Sequence, residues 1–255
     1  MLFDSHVHTK FSADSEMLAQ EALKSAEQTG LGLVFTEHLD LESSPVDFTF
    51  DPEAYWQEYS SLRGENLRLG VEVGMREKTL EGSRAFVERV PFDQVTGAIH
   101  FMDDLDLYYP DFYQDKEKET AYRRYFQDMA ENLHTHSFVD VLAHIDYIAR
   151  YAPYDNPELD YGSFRQEIDE VLKTVIETDT VLELNTRRLG DSLALKELVP
   201  IYARYKELGG RFITLGSDAH KHEDIGAHFG AAREMAAALG LTVVTFCERQ
   251  MDICK

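Results

Sequence analysis

The chain has 255 residues and carries 47 acidic against 25 basic side chains, a formal net charge of −22. A field of that sign repels a phosphate backbone, which excludes tracking along DNA or RNA, and no apolar run approaches the roughly 18 residues of a membrane span. The apolar fraction of 44% and the length suit one large soluble domain over residues 1–255.

In chain order the first stretch is decisive. Leu2 to His8 reads as a strand running into the polar turn Thr9–Asp14. Side chains alternate along a strand, so His6 and His8 share a face, with Asp14 one short loop away. A helix over 17–29 is stopped by Gly30, and Leu33–His38 is the second strand. A helix over 52–65 begins on Pro52, with Tyr55, Trp56, Tyr59 and Leu62 as a core stripe. The third strand, Leu67–Val73, contains Glu72. A helix near 79–89 leads to the fourth strand, Gln94–His100, and then to an Asp-, Tyr- and Pro-rich loop over 101–115.

A long helix over 116–133 precedes the fifth strand, Val139–His144. A helix over 162–177 precedes the sixth, Val181–Thr186, which runs into Arg187 and Arg188. A helix over 194–208 ends at Gly209-Gly210, and the seventh strand, Phe212–Asp218, is followed by Ala219-His220. A helix over 225–239 and a strand-like run over 242–246 complete the pattern. Cys247 and Cys254 have no metal-type spacing, and the chain opens on a strand rather than a basic then apolar leader. Free thiols and a cytoplasmic protein are expected.

Unbroken strand–helix alternation implies parallel strands covered by helices. The expected fold class is α/β, a single-domain, distorted TIM-like (β/α)7 barrel. A doubly wound open sheet is the alternative, although no GxGxxG follows the first strand.

The ligand-type residues then fall into line. His6 and His8 end strand one, His38 strand two, Glu72 strand three, His100 strand four, His144 strand five, and Asp218 and His220 strand seven. In a parallel barrel these positions share the C-terminal rim, where barrel active sites are built. With Asp14 they make nine candidate metal ligands, too many for one ion and suited to two or three. A carboxylate such as Glu72 can bridge two ions, and paired ions can hold a hydroxide that is nucleophilic at neutral pH. That equipment suits hydrolysis of phosphate esters. His134-Thr-His136 is a second HxH, but it falls at the opposite rim and both residues are expected at the surface, as is His222 on its loop.

In this combination His6-Val-His8-Thr with Asp14, Thr36-Glu37-His38, Glu72, His100, His144 and Gly216-Ser217-Asp218-Ala219-His220 resemble the motifs of the PHP (polymerase and histidinol phosphatase) superfamily. Within it, the length and the segment after His100 look like the histidinol-phosphate phosphatases. The resemblance implies a distorted (β/α)7 barrel with a trinuclear site. It assigns His6, His8, Glu72 and Asp218 to one ion, Glu72, His100 and His144 to a second, and Asp14, His38 and His220 to a third. It implies zinc, iron or manganese without choosing among them, and it puts Glu72, Asp218 and His220 at the chemistry.

Arg150, Arg187 and Arg188 stand near the same rim, and an arginine offers a bidentate fork to phosphate. Arg150 and Arg187 are the preferred pair. Asp103 and Asp104 are candidates for a substrate ammonium or imidazole. The resulting expectation is an L-histidinol-phosphate phosphatase acting on a small phosphorylated metabolite through two or three divalent transition-metal ions. A PHP phosphoesterase for another small ester or nucleotide, and a non-catalytic metal-stabilised scaffold, stay open on sequence alone.

Overall fold

The computed structural model describes residues 1–254. Seven parallel strands frame it: β1 (Phe3–Val7), β2 (Gly32–Leu39), β3 (Leu67–Gly74), β4 (Gln94–Ala98) and, after a small hairpin of β5 (Phe101–Met102) and β6 (Leu105–Asp106), β7 (Val141–Leu142), β8 (Val181–Asn185) and β9 (Phe212–Gly216). They lie in the order β1-β2-β3-β4-β7-β8-β9. The sheet then returns on itself. Asp218 N–H donates to the His6 carbonyl and His8 N–H to the Ala219 carbonyl, each at 2.9 Å, and Val7 bridges Ala219 in parallel. An open doubly wound sheet has no such closure. The barrel is distorted because β9 meets β1 only beyond its C-terminal end, while Phe212 and Ile213 pair with β10 (Thr242–Cys247).

The helices are α1 (Ala19–Thr29), α2 (Pro52–Tyr59), α3 (Leu80–Val87), α4 (Lys118–Thr135), a single turn α5 (Ile148–Tyr151), α6 (Arg165–Glu177), α7 (Ser192–Glu207) and α8 (Phe229–Leu239). Local chemistry sets their ends. Gly30 closes α1 in the left-handed region at φ 70, where a Cβ would be strained. The Asp51 side chain accepts the N–H groups of Glu53 and Ala54 to start α2. That helix is shorter than its aromatic stripe suggests. It gives way to a 3-10 turn at Ser60–Leu62, after which Arg63 forms a fork on Asp93, at 2.7 and 2.8 Å.

One strand was not legible in the periodicity. The turn Glu248-Arg249, with φ 52 and 63, folds β11 (Gln250–Ile253) back on β10. Every residue of β11 is exposed, so it lacks the half-buried alternation that marks a strand. Val244 and Phe246 of this hairpin pack on Val141, Val181 and Phe212, residues that open β7, β8 and β9. The hairpin therefore plugs the N-terminal mouth and leaves the C-terminal mouth open.

Candidate active site

β1 carries a bulge between Asp4 and Val7, where three steps on β1 face two on β2. The freed Val7 N–H donates to Thr36 Oγ1 at 3.0 Å. A bulge re-aims side chains, and this one contains His6 and ends just before His8, two imidazoles that are fully buried in the mouth.

Glu72 is the centre of the group that gathers there. Its Oε2 lies 2.9 Å from His38 Nδ1, 3.3 Å from His6 Nε2 and 3.6 Å from His8 Nε2. Its Oε1 lies 2.8 Å from His144 Nε2 and 3.3 Å from His100 Nε2. Asp218 Oδ1 stands 3.3 Å from His8 Nε2 and 3.8 Å from His6 Nε2. Asp14 Oδ2 faces His220 Nε2 at 3.1 Å and His38 Nε2 at 3.5 Å. Every ligand candidate read from the sequence is thus brought to one place. Four overlapping triads could each hold an ion: His6/His8/Asp218, His6/Glu72/His144, His38/Glu72/His100 and His8/His38/His220.

The donor set fits a cation by a separate criterion. His6 Nε2, His8 Nε2, His38 Nδ1 and Glu72 Oε2 are buried and none makes a hydrogen bond of good geometry, although the last two lie 2.9 Å apart. Each such orphan costs about 1–3 kcal/mol in an apolar surround, so four at one point are sustained only if something else meets them. Burial pushes the Glu72 carboxyl up, but the His6, His100 and His38 imidazoles outweigh it and hold it well below the usual range. Burial pulls His6 down, yet Glu183, Glu72 and Asp218 raise it well above its ordinary value. His100 rises to about 10 in the same way, Asp40 and Glu72 outweighing burial. A field that favours a proton on those imidazoles favours a metal cation equally. His8 goes the other way: burial, then His38 and His220, hold it low and neutral, the state a ligand needs.

Behind the ligands lies a layer of carboxylates, of which only Glu37 had appeared, as part of the Thr36-Glu37-His38 motif. His6 Nδ1–H donates to Glu183 Oε1 at 2.7 Å, and His100 Nδ1–H to Asp40 Oδ2 at 3.0 Å. Both pairs fix the tautomer that leaves Nε2 free, as metal-binding histidines require. His8 Nδ1 meets Ser12 Oγ at 3.0 Å, and Ser12 donates on to Glu37 at 2.7 Å. Asp4 accepts from Ser217 N and Gly226 N at 2.9 and 2.8 Å, and burial still lifts it to about 6. The available signal was a carboxylate inside an otherwise apolar strand: Glu183 in Val-Leu-Glu-Leu-Asn and Glu37 in Phe-Thr-Glu-His.

The cluster opens into a cavity of about 480 Å³ that both preferred arginines line. Arg150 donates to Asp218 Oδ2 at 2.5 Å, while its Nε and Nη2 are buried without partners. Asp218 therefore gives one oxygen to the histidines and the other to the guanidinium. Arg187 donates to the Asp218 carbonyl at 3.0 Å and is otherwise exposed. Arg188 is spent elsewhere, on Asp146 and Glu158.

Two expectations need correction. Asp103 and Asp104 do not face the cavity. They form the β5–β6 turn, both with positive φ, and point to Arg124, Arg76 and Lys78. Asp106 lines the cavity instead. His136 is buried rather than at the surface, because α4 ends there and its Nδ1–H turns back to the Asn132 carbonyl at 2.8 Å. His134 and His222 are exposed as expected.

A closed parallel barrel that gathers imidazoles and carboxylates with free coordinating atoms at its C-terminal mouth, next to a guanidinium with free donors, is the equipment of a metal-dependent phosphoester hydrolase. The sequence matches the PHP domain over residues 4–187, and the chain belongs to the PHP family. It is 44% identical over 253 residues to a probable histidinol-phosphatase of Clostridium acetobutylicum, covering 98% of this chain and 99% of that one. It is 32% identical to a histidinol-phosphatase of Lactococcus lactis over 85% of this chain and 83% of the relative. A crystal structure of the histidinol phosphate phosphatase from Lactococcus lactis, complexed with zinc, L-histidinol and phosphate, superposes with a TM-score of 0.94 at 30% identity, covering 98% of each chain. Among the described residues no helix is long and apolar enough to cross a membrane.

Proposed function

We propose that this protein is an L-histidinol-phosphate phosphatase: histidinol phosphate and water give histidinol and phosphate. The observation that carries the reading is the double duty of Asp218, which faces His8 at 3.3 Å and Arg150 at 2.5 Å. A cation cluster and an anion clamp thereby share one residue in one cavity. In this reading His6, His8, Glu72 and Asp218 hold one divalent ion. Glu72, His100 and His144 hold another, and Asp14, His38 and His220 a third, with zinc the ion of the Lactococcus lactis structure. Such ions lower the pKa of bound water to near neutrality and neutralise phosphate oxygens.

The chain's own residues supply the rest. Arg150 offers its free Nε and Nη2 to two phosphate oxygens, and Arg187 offers a further donor from the rim. Glu72 divides its two oxygens between the histidine groups and so sets their separation. Glu183 and Asp40 hold His6 and His100 in one tautomer. His220 donates from Nδ1 to the Asp218 carbonyl at 3.0 Å, which leaves Nε2 turned to Asp14. A monoester dianion presents three terminal oxygens to this array, whereas a diester presents two and must lodge a second group. The −22 charge outside the mouth also disfavours polymeric diesters. The two cysteines are free, in keeping with a cytoplasmic enzyme working as one domain on a small metabolite.

The test is phosphate release from histidinol phosphate by zinc- or manganese-loaded protein, compared with a bis-aryl phosphodiester, before and after chelation. Monoester turnover lost on chelation is expected. Faster diester cleavage, or turnover indifferent to chelation, overturns the reading.

A further inference from the structure

The turn over residues 9–14 leaves one ligand candidate, His8, and delivers another, Asp14. Its hydroxyl and amide donors turn inward onto Glu37 of β2. Thr9 N–H donates to Glu37 Oε2 at 3.0 Å, Thr9 Oγ1–H to Oε1 at 2.6 Å, and Ser12 Oγ–H to Oε2 at 2.7 Å. A fully buried carboxylate is costly unless its oxygens are hydrogen-bonded, and these three donors meet that need. The turn is closed from within by Ser12 N–H on the Thr9 carbonyl at 2.9 Å and by Ser15 N–H on the Ser12 carbonyl at 3.1 Å.

His6 and His100 are oriented by carboxylates, which can only accept. His8 is oriented by a hydroxyl, which can donate or accept, so something else must set its direction. A serine hydroxyl has one proton to give and two lone pairs. Ser12 spends its proton on Glu37. Towards His8 Nδ1, at 3.0 Å, and the backbone N–H of His38, at 3.1 Å, it can therefore only accept. His8 must then carry its proton on Nδ1, which leaves Nε2 bare, 3.3 Å from Asp218 Oδ1. The His8 ring stacks on those of His38 and His220, with centroids 4.1 and 4.3 Å apart, so a change in its setting is felt by both neighbours.

We infer that Ser12 is a positioning residue that couples the inner ion site to the outer one, with Glu37 setting the direction of its hydroxyl. Through His8 it acts on the group His6/His8/Glu72/Asp218. Through the His38 N–H and the turn that carries Asp14 it acts on Asp14/His38/His220. Loss of this one hydroxyl loosens both groups at once. The inference rests on the ion assignment given above, but the hydrogen-bond direction on which it turns belongs to the protein alone.

The experiment takes the wild type, Ser12→Ala, Glu37→Met and the double variant. Imidazole 15N–1H correlation spectra at neutral pH, on zinc-loaded protein and again after chelation, report the His8 tautomer; titration against a competing chelator reports zinc affinity. Wild type should show His8 with its proton on Nδ1. Ser12→Ala should admit the other tautomer and weaken zinc binding by roughly ten- to a hundred-fold, the usual cost of losing such a partner. Glu37→Met frees the Ser12 proton to turn onto His8 Nδ1, and should drive His8 to the Nε2–H form. In the Ser12→Ala background Glu37→Met should shift the tautomer no further, because the relay is already cut. A merely structural role for Glu37 would lower stability and leave the tautomer as in wild type, which overturns the relay. Should Glu37→Met fail to fold, Ser12→Ala decides: an unchanged tautomer with zinc affinity within twofold of wild type overturns the proposal. Wild type that binds zinc, yet carries the His8 proton on Nε2 after chelation, overturns this proposal alone. Wild type that binds no zinc overturns the metal reading beneath it as well.

Discussion

Replacing Glu183 with glutamine changes one atom in the floor of the site and should be felt as strongly as the loss of a ligand. The carboxylate accepts three hydrogen bonds, from His6 Nδ1 at 2.7 Å, His144 N at 2.8 Å and Asn185 Nδ2 at 3.0 Å. An amide has one oxygen, so at least one buried donor is left facing an NH2 group. A buried donor without an acceptor costs about 1–3 kcal/mol, and a charge-assisted bond about 1.5–3. The terms overlap, and roughly 2–4 kcal/mol of stability is the expected loss. The site cannot relax around the change: a Cβ on neighbouring Gly216 would already lie 2.2 Å from Glu183 Oε1 and 2.5 Å from the His6 Cβ. In the metal-free protein this predicts a Tm lower by roughly 5–15 °C, at about 2–4 °C per kcal/mol for a chain of this size. His6 also loses the partner that fixes its tautomer, and loss of such a partner typically weakens metal binding by about ten- to a hundred-fold. Zinc titration against a competing chelator, with thermal melts of metal-free protein alongside, measures both. Zinc affinity within twofold of wild type together with an unchanged Tm would falsify the role given to Glu183.

Three further outcomes are expected. Arg150→Met should lower kcat/KM for a phosphomonoester by roughly ten- to a hundred-fold, since its two free donors are lost, while Arg188→Met, which frees Asp146 and Glu158 outside the cavity, should lower Tm and spare KM; equal KM effects would misplace the clamp. His136→Ala should cost about 1–3 kcal/mol through an exposed helix end and a small void, with turnover intact, whereas His134→Ala should leave Tm and rate unaltered. Asp93→Asn should destabilise the protein at neutral pH, because Arg63, Leu69 N and Glu248 N all donate to that carboxylate. Burial raises the Asp93 carboxyl, but the Arg63 and backbone bonds outweigh it and hold the folded value below the ordinary 3.8. Its contribution is thus fully present above about that value and fades as pH falls through the lower folded one. Denaturant melts of both proteins should show a constant gap from neutrality down to about pH 5, narrowing below pH 4; a gap that widens on acidification contradicts the assignment.

The order of ligand residues at strand ends was legible because it rests on two short-range rules, alternation along a strand and the parallel direction that strand–helix alternation imposes. Together these put His6, His38, Glu72, His100, His144 and Asp218 at the same rim before any coordinate is known. The preference for Arg150 over Arg188 was a matter of loop position, and the two differ only in which carboxylates the folded loops present to them. Tertiary structure alone decided that Asp106 faces the cavity and Asp104 does not, since a two-residue reversal with positive φ sends neighbouring aspartates in different directions. It alone decided that β11 exists, because a fully exposed edge strand has no burial to imprint a period. And it alone joined Glu183 to His6 across 177 residues of chain: a hydrogen bond records its geometry in space, whereas hydrophobic periodicity records only which face of one element meets the core.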